Sequence, residues 1–145
     1  MSVRAFLDTN IIVYLYSETE IKKHYIACRC LDANDCIIST QILNEASNVW
    51  TKKYKLRVDI IKKYVENVEK VCDELMVIQN KTIYKALDLK EKYGYSFYDC
   101  LVLASALESG CDIIFTEDMQ DGQEIETKLK IINPFKKEYA SNLDF

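Results

Sequence analysis

Val3-Arg4-Ala5-Phe6-Leu7-Asp8-Thr9-Asn10-Ile11-Ile12-Val13 is a mainly apolar run with a single carboxylate, Asp8, and further apolar residues soon after it. Residues 3–7 lack the alternation of a half-exposed strand and read as a strand buried on both faces. Asp8 and Asn10 then supply turn and capping chemistry for a helix starting near Ile11. The pattern recurs along the chain. Brief strand-like runs at 36–39, 74–78, 113–116 and 130–132 alternate with helical stretches. Residues 40–53 and 82–93 read as helices, and Ile60, Ile61, Tyr64, Val65, Val68, Val71 and Cys72 repeat at helical spacing as one amphipathic stripe. Residues 97–108 are nearly all apolar, so that helix is expected to be buried on most sides, with Gly110 as its stop. Strand–helix alternation of this kind predicts an α/β fold, three layers α/β/α around a central, mainly parallel sheet of four to five strands.

Composition narrows the class. The 145 residues are 49% hydrophobic, enough for one well-cored domain spanning 1–145, and 3 Gly with 1 Pro leave little room for turn-rich all-β folds. The first residues do not resemble a signal peptide, and no apolar run approaches the ~20 residues of a membrane span, so a cytoplasmic protein is expected. Cys28 and Cys30 form a C-x-C, but no second close pair follows, and His24 is the only histidine. Reduced, buried thiols therefore fit better than a zinc site. A net charge of −4 argues against a simple basic nucleic-acid surface, although Lys52, Lys53, Lys55 and Arg57 cluster, as do Lys62 with Lys63 and Lys136 with Lys137.

Within that frame, isolated acids stand out. Asp8 is the only charge between Ala5 and Ser17, Glu45 between Cys36 and Thr51, and Asp99 between Phe97 and Leu107. At 29% charged residues overall, windows of this length should hold roughly three to five charges. Carboxylates in apolar elements are costly unless paired, hydrogen-bonded or metal-bound. In open parallel sheets, ligands sit beyond the carboxyl ends of the strands. Asp8 follows the first strand, Glu45 lies about a turn into the helix after the second, and Asp118 comes just after the fourth. Asp99 opens the helix leading to that strand. Each has a plainer use: Asp8 as a cap with Asn10, Asp99 in a capping box with Ser96, Glu45 as an exposed helical position, Asp118 as a loop acid. Gathered together, two carboxylates ~5 Å apart would repel by roughly 3 kcal/mol at an effective dielectric near 20, which calls for a cation. An all-oxygen set suits Mg²⁺ or Mn²⁺, and such ions meet phosphate oxygens.

Four motifs in matching order, Phe6-Leu7-Asp8-Thr9-Asn10, Ser39-x-x-x-x-Asn44-Glu45, Tyr98-Asp99-Cys100-Leu101 and Thr116-Glu117-Asp118-Met119-Gln120, resemble the PIN domain family, most closely its VapC-type toxin ribonucleases. The likeness runs to Ile132-Asn133-Pro134-Phe135. The resemblance implies a PIN-like fold and a Mg²⁺- or Mn²⁺-dependent endoribonuclease acting as the toxin of a toxin–antitoxin pair. Asp8, Asp99 and Asp118 would be metal ligands, with Glu45 completing a catalytic quartet. Thr116 would position the last loop, Asn10 would support Asp8, and Asp121 would replace or supplement Asp118. Implied partners are an RNA substrate, an antitoxin protein and a second copy in a homodimer. Cleavage by activated water would leave 5′-phosphate and 3′-OH ends, with the lysine cluster guiding RNA and some of the tyrosines stacking on bases. A non-catalytic PIN-like module binding RNA or protein is the alternative. A receiver-type phosphoacceptor fits poorly, because Asp8 lacks an acidic neighbour and Ile132 of the last strand leads into Asn133-Pro134-Phe135 rather than into a Lys.

Overall fold

The computed structural model describes residues 3–136. Its order is β1 (Arg4–Leu7), α1 (Thr9–Tyr14), α2 (Ile21–Ala33), β2 (Asp35–Ser39), α3 (Thr40–Lys52), α4 (Val58–Val71), β3 (Glu74–Met76), α5 (Asn80–Tyr93), α6 (Phe97–Glu108), β4 (Ile113–Phe115), β5 (Glu124–Ile125) and β6 (Leu129–Ile132). The strands form one sheet in the order β3-β2-β1-β4-β6-β5. Every pairing is parallel except β5 with β6. Helices flank the sheet in a three-layer α/β/α arrangement, with α5 along α6 and α3 against both α1 and α4.

The sequence reading finds five strands, and the sheet has six among the described residues. β5 is two residues long, too short to carry a period, and exists because the 126–128 turn folds it back on β6. That turn holds Glu126 and Thr127 at φ 53 and 56. β3 also departs from expectation. As an edge strand it leaves Glu74 and Leu75 exposed rather than buried on both faces.

Central elements bury as their sequences predict. Ala5, Phe6 and Leu7 of β1 are fully buried, as are Cys36, Ile37 and Ile38 of β2. α6 is buried continuously from Cys100 to Ala106, so its apolar character on all sides reflects a position between sheet and helix. Its end is a Schellman turn. Gly110 at φ 68 donates to the Leu107 carbonyl and Cys111 to that of Ala106, each at 3.0–3.1 Å. The α4 stripe serves mainly as core, with Ile61 and Val68 buried and Tyr64 and Val65 packed against the cluster. All six cysteines are free, and five are buried. Burial pushes the Cys30, Cys72 and Cys111 thiols up to about 12, so they sit as neutral hydrophobes. No helix among the described residues is long and apolar enough to cross a membrane. Lys137 of the third basic pair lies outside the described residues.

Strand order also sets where a ligand can enter. From β1 the chain runs outward through β2 to β3, then returns to place β4 on the other side of β1. The β1/β4 boundary is therefore the switch point of the topology, where a crevice opens beyond the strand ends.

Candidate active site

Asp8 and Asp118 leave the carboxyl ends of the two strands that flank this switch point. Asp8 directly follows Leu7 of β1, and its N–H donates to the Phe115 carbonyl at the end of β4 at 3.1 Å. Asp118 comes three residues after Phe115. Glu45 projects from the second turn of α3, and Asp99 from the first turn of α6. All four carboxylates line one cavity of about 250 Å³, together with Thr9, Asn10, Asn48 and Tyr98. Groups from opposite ends of the chain thus meet across the sheet edge.

Asp8 is the anchor. It caps α1, is 5% exposed, and accepts from the Thr9 N–H at 2.8 Å and the Thr116 hydroxyl at 2.7 Å. Its capping and its place in the cavity coexist, one oxygen for each neighbour. Burial raises its carboxyl to about 6 against the pull of those two donors, and the negative charges of Asp118 and Glu45 add to the rise. Thr116, fully buried, also accepts from the Asp118 N–H at 3.2 Å, so one hydroxyl ties the Asp8 carboxylate to the loop carrying Asp118. Asp118 is raised as well, by partial burial first and then by Glu117, Asp99 and Glu45.

Glu45 is held by both oxygens. The Thr9 hydroxyl donates to one at 3.1 Å and the Gln41 amide to the other at 2.5 Å. Gln41 is itself buried and donates a second bond, 3.1 Å, to the Tyr98 carbonyl. It thereby links Glu45 to the residue preceding Asp99. Both neighbours of its amide nitrogen are acceptors, which fixes the amide orientation, and its buried oxygen has no partner among the described residues. Ser96 caps α6 by accepting from the Asp99 N–H at 3.2 Å, yet the return bond of a full capping box is not formed, and the Asp99 carboxylate lines the cavity.

Two expected supporting roles fall differently. The Asn10 amide donates to Asp118 at 3.1 Å rather than to Asp8, because the first turn of α1 holds this half-buried position toward the loop after β4. Asp121 lies outside the cavity. It accepts from the Asn133 N–H at 2.7 Å and faces Lys136 at 3.6 Å, pinning the loop after β4 to the end of β6. Gln41 and Asn48 do not stand out in the sequence, and Thr9 and Tyr98 enter it only as neighbours of Asp8 and Asp99 in their motifs. Gln41 lies four residues before Glu45 on one helix, a spacing that could have revealed it.

No Lys or Arg forms an ion pair with any of the four acids among the described residues. Lys23, on α2, is engaged by Glu117 at 3.1 Å and by the Tyr14 hydroxyl at 3.2 Å. The sole histidine, His24, contacts the Tyr14 carbonyl and takes no part in the cavity. Also among the described residues, no group of three or more His, Cys, Asp or Glu side chains is arranged to hold a metal ion as it stands. The donor set is all hard oxygen, and burial first, with the neighbouring acids Asp118 and Glu45 adding to it, raises the Asp8 carboxyl. Such a set fits a divalent cation that keeps part of its water shell and takes further oxygens from a ligand.

Known proteins share the fold. The family model of the PIN domain matches residues 5–120. No curated protein matches in sequence. Among solved structures, a chain of a toxin–antitoxin complex from Klebsiella pneumoniae is 21% identical with a TM-score of 0.68, covering 91% of this chain and 98% of that one. VapC20 of Mycobacterium tuberculosis, a sarcin-ricin loop cleaving toxin, is 16% identical with a TM-score of 0.64 over 79% of this chain and 91% of its own. VapBC2 from Rickettsia felis, bound to a promoter DNA fragment, is 17% identical with a TM-score of 0.63 over 90% and 100%. At these identities the likeness is one of fold.

Proposed function

The chain belongs to the PIN domain family, and on that premise we propose that it is a metal-dependent endoribonuclease, the toxin of a toxin–antitoxin pair. The observation that carries this reading is the gathering of Asp8, Glu45, Asp99 and Asp118 around one cavity at the switch point of a parallel sheet. The VapC and VapBC folds it resembles support the toxin assignment.

In this reading Asp8, Asp99 and Asp118 would hold Mg²⁺ or Mn²⁺. The cation would supply positive charge to offset a phosphodiester and to lower the pKa of water. The remaining chemistry belongs to the chain. Thr116 and the Thr9 N–H fix both oxygens of Asp8, so the buried carboxylate presents one geometry. Asn10 and the Thr116 hydroxyl orient Asp118. Glu45, already bonded by Thr9 and Gln41, is placed to accept a proton from water rather than to seek a further direct ligand. Unpaired acids in the cavity would repel a scissile phosphate placed there unless their charge is neutralised. Products would carry 5′-phosphate and 3′-OH ends. The 145 residues act as a single PIN-like domain, as a homodimer in the cytoplasm, silenced by an antitoxin protein.

The test is cleavage of a labelled RNA panel with Mn²⁺, Mg²⁺ or chelator, with Asp8→Asn and Asp99→Asn in parallel. Metal-dependent cutting lost in both variants is expected. No cutting by the wild type, together with no cation binding by calorimetry, would leave a binding module that uses its acids as caps.

A further inference from the structure

A second cavity, of about 250 Å³, lies at the other end of the α1–α3 pair, and its walls are aromatic. Of the chain's 10 tyrosines, Tyr16, Tyr54 and Tyr64 line it together with the only tryptophan, Trp50. Tyr16 and Tyr64 stack with ring centres 4.5 Å apart, and Trp50 meets them edge-on at 5.7 and 5.1 Å. Those contacts make a rigid floor. Tyr54 is different, since it is 37% exposed and stands at the rim.

The rim is basic. Tyr54 and Leu56 belong to the α3–α4 connection, where Lys52, Lys53, Lys55 and Arg57 surround them in sequence. Lys53 lies over the Tyr54 ring at 5.5 Å, and Arg57 pairs with Asp59. Among the described residues Lys52, Lys53 and Lys55 form no ion pair. Lys55 holds a left-handed φ of 52, and the Leu56 N–H returns to the Trp50 carbonyl at 3.0 Å, folding Leu56 back over the pocket. One carboxylate, Glu18, sits in the wall and disfavours phosphate inside.

We infer that this aromatic pocket binds a nucleobase of a single RNA strand, with the adjoining phosphates on Lys52, Lys53 and Lys55. Aromatic walls beside lysine side chains are the chemistry of single-stranded nucleic-acid binding. Position supports it. Val13 lines this pocket and Thr9 the acidic one, four residues and about 6 Å of helix apart. Val49 and Trp50 likewise divide neighbouring positions of α3 between the two cavities. One strand can therefore engage both. The inference rests on the ribonuclease reading and locates part of its substrate site.

The experiment titrates the intact protein, in chelator so that no RNA is cut, with adenosine 5′-monophosphate and with a five-residue oligoadenylate. The readout is Trp50 emission, the chain's only tryptophan signal. Saturable quenching is expected, with the oligonucleotide binding more tightly. Tyr54→Ala should weaken oligonucleotide binding at least fivefold, whereas Tyr84→Ala, an exposed tyrosine of α5, should not. In cleavage assays Tyr54→Ala should raise KM with kcat unchanged. Absence of quenching, or quenching indifferent to Tyr54→Ala, overturns the pocket assignment and leaves that surface to a protein partner. Because the titration needs no turnover, its failure is separate from failure to cut RNA.

Discussion

Replacing Asp8 with asparagine removes the charge that the fold tolerates least, and is expected to stabilise the cation-free protein at neutral pH. Burial and the neighbouring acids lift the Asp8 carboxyl from an ordinary 3.8 to about 6. An acid whose folded pKa lies above its unfolded value binds more protons when folded between those two values. Its contribution is therefore most favourable below about pH 4 and is lost as pH rises through 6. The difference is about 3 kcal/mol across that window. Asparagine keeps an oxygen for the Thr9 N–H and an amide for the Thr116 hydroxyl, though neutral bonds are weaker by about 1 kcal/mol. The variant should therefore exceed the wild type by about 1–3 kcal/mol at pH 7.5 in chelator. The advantage should shrink toward pH 4.5, and comparing the two proteins cancels the other acids. A divalent cation at 100 times its Kd should restore about 2.7 kcal/mol to the wild type and little to the variant. Urea denaturation followed by Trp50 fluorescence at pH 4.5, 6 and 7.5 measures all of this. A wild type that matches the variant at pH 7.5 in chelator, or gains on it as pH rises, would refute the claim that Asp8 is held against its charge.

Three further outcomes separate the parts of the site. Asp118→Asn should lower RNA cleavage at least tenfold while Asp121→Asn leaves it within twofold, because Asp121 is spent on Asn133 and Lys136; equal losses in the two would show that the loop rearranges. Thr116→Val strands a buried oxygen of Asp8 and should cost about 2–3 kcal/mol in chemical denaturation, with Thr116→Ser recovering most of it. Gln41→Leu removes the link between Glu45 and the Tyr98 carbonyl, so kcat should fall about tenfold with KM little changed, the signature of a mispositioned group rather than lost binding.

Much of this molecule is legible in its sequence because strong local signals are few and unopposed. The helix at 97–108 is bounded by Ser96 and Gly110, and the structure places α6 at those residues. Asp8, Glu45 and Asp99 stand out because a lone charge in an apolar element demands an explanation, and all three line one cavity with Asp118. Asp118 has no such contrast in a loop that also contains Glu117 and Asp121, so sequence leaves the choice between Asp118 and Asp121 open. β5 is too short for any period, and Gln41 looks like an ordinary helical polar residue until its two acceptors are seen.

The sequence by itself determines the order of the longer strands and helices, the central buried elements and the acids that carry excess cost, because burial and periodicity act within a few residues along the chain. Only the tertiary structure decides which groups meet. The β1/β4 switch point brings Asp8 beside Thr116, 108 residues away, and turns Asn10 toward Asp118. The return of the α3–α4 turn closes an aromatic pocket from tyrosines that sequence cannot choose among. Hydrogen bonds and electrostatic repulsion depend on distances of a few ångströms, and strand order across the sheet sets those distances.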